Sequence, residues 1–387
     1  MTAVSTLEVN LSAVRHNVQR LRYVAPSATR VCAAVKANAY GLGAVPVAKA
    51  LRDLVDMFAV FTPDEAMELV ETVDDPPVLV LMPVHQLPTD VPTERVQFVV
   101  HDPAQLTSLL RSAGDVRELR LHVQIDTGMS RGGCDPSELP RIVQAIRETA
   151  NARLVGLLTH LASANDDTAF TRRQHERFRD SVESVRPMLP SDCILHVANT
   201  FGILQSCDFH ESMIRPGIGL LGYGSEQMTA PALLPPGELR PALRWASRVI
   251  QLKQTEAGTS VGYNLRWTAD RPSTIALVPA GYADGYPTQS DPAQPGQRSV
   301  AMLLPSAGGA IERFYAPVVG AVNMDQVTLD VTDVADRVQV GTEVELITPD
   351  VAAPNHGPTL ARLSRISAYE LATGIGNRVR RRYVEEV

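Results

Sequence analysis

Val31-Cys-Ala-Ala-Val-Lys-Ala-Asn-Ala-Tyr-Gly-Leu-Gly43 is the stretch that organises the chain. Its first five residues are small and apolar with no polar alternation, the pattern of a strand covered on both faces in a parallel sheet. A lysine follows. An ammonium at the rim of such a strand is costly to desolvate, so the pKa of Lys36 is expected to fall and leave a usable nucleophile. Gly41 and Gly43 then permit a tight loop before Val45-Pro-Val-Ala-Lys-Ala-Leu51, which has helical spacing. Lys36 is thereby placed on the loop side of a strand–loop–helix unit. Taken alone, a lysine in this place also reads as a solvated strand end.

The alternation recurs as far as residue 220 or so. Strands are expected at 31–35, 57–61, 78–82, 98–100, 119–125, 154–158, 194–197 and 213–215, eight in all. Between them lie helices such as 64–71, whose start Thr62-Pro-Asp-Glu65 offers a capping residue, a proline at the first helical position and an acid at the third. A second helix, 169–188, is polar on most faces. An open doubly wound sheet would alternate too, but eight units imply an α/β fold closed as a (β/α)8 TIM barrel, with functional groups on the loops after the strands. No repeat of fixed period is present. Thr229-Ala-Pro-Ala-Leu-Leu-Pro-Pro-Gly-Glu-Leu-Arg-Pro241 reads as a linker, and beyond it the period becomes two. Strands are expected at 245–254, 273–278, 318–331 and 343–347, with one helix at 359–373. The expected organisation is a barrel domain over 1–228 and a mainly β C-terminal domain over 229–387, with the first ten or so residues pairing with the latter.

The 387 residues are 44% hydrophobic and 20% charged, enough for two domains and a large core. A net charge of −7 argues against a nucleic-acid partner, and the short cluster Arg378 to Arg382 reads as a solvated or dimer-facing end. The start lacks a basic n-region and a long apolar run, so neither export nor a membrane span is expected, and the cytoplasm is the default location. Cys32, Cys134, Cys193 and Cys207 lack metal-ligand spacing and read as reduced thiols. Asp166-Asp167 and Asp74-Asp75 read as solvated loops, so no metal site is expected.

Ala34-Val-Lys-Ala-Asn-Ala-Tyr-Gly-Leu-Gly43 resembles the pyridoxal-phosphate signature of the alanine racemase family, in which the lysine holds the cofactor as a Schiff base. The likeness covers nearly the whole chain. It includes Ile125-Asp-Thr-Gly-Met-Ser-Arg131, Thr159-His160, Ala198-Asn-Thr200, Ile214-Arg-Pro-Gly-Ile218, Val261-Gly-Tyr-Asn264, Pro279-Ala-Gly-Tyr-Ala-Asp-Gly-Tyr-Pro287 and Asn323-Met-Asp-Gln326. The resemblance implies racemisation of a small amino acid, with L-alanine the expected substrate, by a homodimer whose active sites are shared across the interface. It makes Lys36 one acid/base group and Tyr263, reaching the partner's barrel, the other. Two are needed because a proton removed from one face of a planar carbanion must return to the opposite face. His160 and Arg215 are implied as the network around the tyrosine, Arg215 also as the partner of the pyridine nitrogen. Thr200, with Asn199 beside it, the amides of Gly217 and Ile218, and the hydroxyls of Tyr40 and Tyr369 match the family's phosphate contacts. Arg131 and the Met324 backbone match its contacts to the substrate carboxylate. Tyr282 and Asn323 fall beside the substrate position.

Each residue also has a plainer reading. Tyr263 reads as a strand aromatic packed in the β domain, His160 as a core histidine, Asn199 and Thr200 as caps of the helix that follows, Tyr282 and Tyr286 as turn aromatics, and Asp325 as structural. Three positions depart from the family. Gln124 stands where many members have a carbamylated lysine; its amide can still hydrogen-bond Arg131 but supplies no negative charge. Asn323 replaces a common cysteine, and Arg380 a usual proline. A broad-specificity or serine-preferring racemase is therefore the first alternative. A decarboxylase of similar architecture, for which the cysteine-and-acid site and glycine-rich loop are missing, and a non-catalytic cofactor-binding protein come behind it.

Overall fold

The computed structural model describes residues 5–114, 116–288, 298–305 and 310–385. Their backbone falls into two compact units. One contains Ala13–Ala39 and Gly43–Arg240; the other takes in the described residues up to Ser12, the segment Tyr40–Leu42 and those from Pro241 onward.

The chain begins with strand β1 (Thr6–Asn10). Eight parallel strands of the first unit follow: β2 (Arg30–Ala34), β3 (Met57–Val60), β4 (Val78–Val80), β5 (Val96–Val100), β6 (Leu119–Gln124), β7 (Ala152–Leu158), β8 (Ile194–His196) and β9 (Met213–Ile214). All eight expected strands form, with ends within two residues of those read from sequence. They pair in the order β8-β7-β6-β5-β4-β3-β2-β9. The ring closes because the segment of β9 also bonds that of β8: the Ser212 amide donates to the Leu195 carbonyl at 3.0 Å and the Arg215 amide to the Ala198 carbonyl at 2.8 Å. The barrel is filled by Cys32, Met57, Ala59, Leu79, Val99, Leu158, Ile194 and Met213. Side chains two apart share a strand face, so Gln97 follows Val99 inward on β5 and His196 follows Ile194 on β8. The helix Pro63–Thr72 starts with the expected capping box between Thr62 and Glu65. Among the described residues no helix is long and apolar enough to cross a membrane.

The second unit holds β1 and β10 (Leu243–Arg248), β11 (Gln251–Thr255), β12 (Ser260–Val261), β13 (Trp267–Thr268), β14 (Ser273–Val278), β15 (Ser299–Pro305), β16 (Ile311–Val319), β17 (Val327–Asp330), β18 (Glu343–Ile347) and β19 (Arg380–Val384). Nine of these form one sheet in the order β11-β14-β17-β16-β15-β18-β10-β1-β19, with β1 antiparallel to β10 and parallel to β19. Three expectations fail here. The run 245–254 is two strands, β10 and β11, because the chain changes partners between them: the Val249 amide donates to the Thr342 carbonyl and the Ile250 amide to the Leu277 carbonyl, both at 2.9 Å. The run 318–331 is a hairpin, with Val318 opposite Leu329, because Gly320 turns the chain at φ +70°, where an added Cβ would lie 2.7 Å from the Val261 carbonyl oxygen. The helix at 359–373 is two helices, Gly357–Leu363 and Ala368–Gly374, since Ser367 and Glu370 form a new capping box after Arg365 takes a left-handed conformation.

At the middle of this sheet the Glu345 carboxylate is 1% exposed and lies between Arg244 Nε at 2.5 Å and Arg313 Nε at 3.0 Å. Burial raises its pKa, but hydrogen bonds and charge from Arg244 and Arg313 outweigh that and hold it below the usual carboxylate value. The ionised pair therefore stabilises the fold above the unfolded-state pKa, and that contribution is lost as pH falls through the lower folded-state value. Replacing Glu345 by Gln should lower the melting temperature at pH 7, with the gap to the parent protein closing as the pH falls below about 4. A gap independent of pH, measured by thermal unfolding, would contradict this.

Candidate active site

Lys36 lies just beyond the C-terminal end of β2 and is only partly exposed. Burial lowers its pKa, Arg131 and Arg215 lower it further, and Glu65 opposes them. The loop after it uses its glycines, Gly41 at φ +86° and Gly43 at φ +110°, and four residues before them as well. Ala37, Asn38, Ala39 and Tyr40 have φ of 51°, 55°, 51° and 55°, one turn of left-handed helix made without glycine. Each such residue costs about 1–2 kcal/mol, so neighbours must hold the turn. Asn38 does much of this: its carbonyl accepts the Gly43 amide at 2.9 Å and its Oδ1 the Ala44 amide at 2.7 Å.

Arg215 is 7% exposed in the barrel wall. Its Nη1 donates to the His196 carbonyl at 2.6 Å and to His196 Nδ1 at 3.1 Å, and its Nη2 to the carbonyls of Thr159 at 2.7 Å and Val197 at 3.2 Å. Among the described residues no acceptor bonds its Nε–H. Burial lowers the pKa to about 10, still high enough to keep Arg215 charged at neutral pH. Because a guanidinium can only donate, His196 Nδ1 must accept and its proton sits on Nε2. That proton goes to His122 Nδ1 at 2.9 Å, and His122 Nε2 in turn donates to Gln97 Oε1 at 2.8 Å. Both rings are fully buried and uncharged, His122 with its pKa pushed down to about 3 by burial and by Arg215. Gly156 on β7 makes room for them, since a Cβ there would lie 2.5 Å from His122 Nδ1. Sequence reasoning missed Gln97, His122 and His196; the signal was a histidine inside each of two apolar strands and a glycine inside a third.

The remaining barrel residues cluster on the loops after β6 to β9. Burial, Arg215, Arg131 and Lys36 push His160 down to about 3, so it is neutral, with Nε2 3.5 Å from Asn199 Nδ2. Asn199 Oδ1 caps the helix Thr200–Gln205 by accepting the Gly202 amide at 3.0 Å. Thr200 Oγ1 accepts the amides of Gly217 at 2.9 Å and Gly219 at 3.2 Å. Gly217 is thus turned to protein, while the Thr200 hydroxyl hydrogen and the Ile218 amide, first in its 3₁₀ turn, can still donate. Asp126 Oδ1 accepts three amides, those of Gly128, Met129 and Ser130, and so shapes the loop that carries Arg131. Among the described residues Gln124 makes no bond to Arg131; its Nε2 donates to the Gly132 carbonyl at 2.8 Å.

In the second unit Tyr263 is 71% exposed, beside Leu265 at 70%, at the tip of the small β12–β13 hairpin. It is not a packed strand aromatic. Two loops lie backbone to backbone: the amides of Tyr282 and Ala283 donate to the carbonyls of Asn323 and Met324, both at 3.0 Å. Gly281 is required there, since a Cβ would come within 2.4 Å of both carbonyl oxygens. Among the described residues Asn323 Oδ1 is buried with no hydrogen-bond partner. Tyr286 is core, packed against Trp245 with ring centroids 6.2 Å apart. The C-terminal arginines Arg378, Arg380 and Arg382 are exposed, as the solvated reading expects, but two of the cluster also brace the fold: Arg378 bridges Asp284 at 3.2 Å and Asp325 at 2.8 Å, and Arg381 donates to the carbonyls of Gly41, Ile375, Gly376 and Val379. Tyr40 and Tyr369 pack with ring centroids 5.9 Å apart, and burial raises the pKa of both, Tyr369 to about 12, so both hydroxyls stay protonated donors.

Residues 9–225 match the family model of the alanine racemase N-terminal domain, and residues 242–383 that of the C-terminal domain. The chain belongs to the alanine racemase family. It is 35% identical to an alanine racemase of Symbiobacterium thermophilum over 97% of this chain and 96% of that protein. Among solved structures, alanine racemase from Streptomyces coelicolor superposes with a TM-score of 0.86 at 29% identity, covering 100% of this chain and 99% of that one. One from Bartonella henselae, described with covalently bound pyridoxal phosphate, does so at 0.81 and 26% identity, covering 99% of this chain and 100% of that one. Within the barrel unit Lys36, Arg131, His160 and Arg215 act electrostatically on one another. No group of metal-ligating side chains is found among the described residues.

The bridge made by Arg378, which sequence reasoning missed, has a direct test. Arg378→Ala should speed amide hydrogen exchange at Gly281, Tyr282 and Ala283 while leaving β14 protected. Unchanged exchange at those three amides would show that the bridge does not hold the loop.

Proposed function

We propose that this chain interconverts L- and D-alanine with pyridoxal phosphate held on Lys36, in a homodimer where Tyr263 of one copy serves the barrel of the other. The observation that carries this reading is the pairing of a desolvated amine at the barrel rim with an arginine that keeps only Nε–H free. Within the barrel unit the donor set fits the cofactor: Lys36 for its aldehyde, Arg215 Nε–H for its ring nitrogen, and the Thr200 hydroxyl and the Ile218 amide for its phosphate; by their match to the family motif, the protonated phenols of Tyr40 and Tyr369 are proposed as further phosphate donors. Bound there, pyridoxal phosphate supplies an electron sink for an amino acid joined to it.

Lys36 moves the proton at Cα on one face and the Tyr263 phenol oxygen moves it on the other. The lowered pKa of Lys36 favours the neutral amine that such a base needs. Cations around a phenol make it a better base, and Arg131 and Arg215 supply that field. Arg131, exposed and without a counter-charge from Gln124, suits the substrate carboxylate, with the Met324 amide as a second donor. The exposed Tyr263–Leu265 tip supports burial against a second copy, since adjacent large apolar groups in solvent mark contact surfaces.

One observation favours L-serine as a second substrate: the buried, unpartnered Oδ1 of Asn323 is an acceptor that a serine hydroxyl would satisfy. Asn323→Ala should lower kcat/KM for serine about fivefold relative to alanine, the worth of one hydrogen bond. An unchanged ratio removes serine from the reading. For the main reading, Lys36→Ala and Tyr263→Phe should each abolish racemisation. An equimolar mixture after subunit exchange should recover about a quarter of the parent activity, because half the dimers then carry one intact site of two. Failure of the mixture to recover activity would place Lys36 and Tyr263 in the same copy's site.

A further inference from the structure

The left-handed turn after Lys36 begins at an amide that no element of β2 can satisfy. Its acceptor is Glu65, from the helix that follows the next strand. Glu65 Oε1 accepts the Ala37 amide at 2.6 Å, while Oε2 accepts the amides of Phe61 at 2.7 Å and Thr62 at 3.1 Å. Thr62 Oγ1 takes the Glu65 amide at 3.2 Å in return. A capping box needs one carboxylate oxygen; here the second is diverted to the residue next to Lys36. We propose that Glu65 is a positioning residue for Lys36: its carboxylate fastens the first residue of the left-handed turn and so fixes the backbone from which the Lys36 amine reaches into the site.

This rests on the reading of Lys36 as the cofactor-bearing amine. A residue that only capped its own helix would have no reason to bond Ala37. The charge matters as well as the geometry. Burial, Arg131 and Arg215 all disfavour the ammonium form of Lys36, His160 beside them is neutral, and Glu65 is the anion that opposes them. The carboxylate thereby limits how far the amine is depressed while keeping its backbone in place. A glutamine at 65 presents one acceptor oxygen where the carboxylate serves two groups of amides, and it carries no charge.

The test compares E65Q, E65D and T62A in the full-length protein, with two readouts. One is the pH midpoint of Lys36 acetylation by acetic anhydride in cofactor-free protein, followed by mass spectrometry; the chain's other lysines, Lys49 and Lys253, serve as internal references. The other is kcat and KM of the loaded enzyme. E65Q should move the Lys36 midpoint down by roughly one pH unit and cut kcat at least about tenfold with KM little changed. E65D, which keeps the charge on a shorter stem, should restore the midpoint and not the rate. T62A breaks the capping box and leaves the Ala37 bond, so it should lower the melting temperature with a parent-like midpoint and kcat. A parent-like midpoint or parent-like kcat in E65Q overturns the proposal, as does T62A reproducing the E65Q effects. Borohydride trapping of cofactor on the parent protein separates the two layers: label on Lys49 or Lys253, or none, would sink the reading of Lys36 itself, whatever E65Q does.

Discussion

A guanidinium buried where the barrel closes is the constraint on which the site depends. Arg215 follows β9, the strand that joins the last of the ring to the first, and it bonds three carbonyls and an imidazole. Neutral partners cannot cancel its charge, so the field spreads to Lys36, His160, His122 and His196 and disfavours a second cation at each. The chain from Arg215 through two neutral histidines to Gln97 runs one way only, because its first member can donate and never accept. Both ring nitrogens of each histidine are thereby paired inside an apolar barrel, and paired groups of this kind order one another.

The same logic of backbone groups held by few, shared partners governs the second unit. Tyr282, Asn323 and Met324 sit on loops that bond each other through main-chain atoms and are cross-braced by Arg378. Loops that carry function are usually mobile; these are tied at both side chain and backbone, which favours presenting groups in one arrangement.

Much of the barrel was legible because buried parallel strands announce themselves as unbroken apolar runs, and eight such runs have one closed solution. Lys36 was legible for the same reason, as a charge at the end of Val31-Cys-Ala-Ala-Val35. The turn after it was not. Gly41 and Gly43 do take positive φ, but so do Ala37 to Tyr40 before them, held by Asn38 and by Glu65 some thirty residues away, and long-range hydrogen bonds leave no local periodicity. The division of 318–331 and of 359–373 was hidden in the same way: Gly320 and the Ser367–Glu370 box are short signals inside longer apolar patterns, and the longer pattern dominated the reading. Arg378 looked like part of a charge run, and only its two aspartates, distant in sequence, show it to be a brace.

The central claim is that Arg215 stays charged and sets the histidine chain in one direction with Nε–H left over. Side-chain ¹⁵N NMR of histidine- and arginine-labelled protein measures this directly. His122 and His196 should both appear as neutral rings protonated on Nε2 between about pH 5 and 9, with a protonated Arg215 guanidinium throughout. An imidazolium at either position, or His196 protonated on Nδ1, would contradict the account.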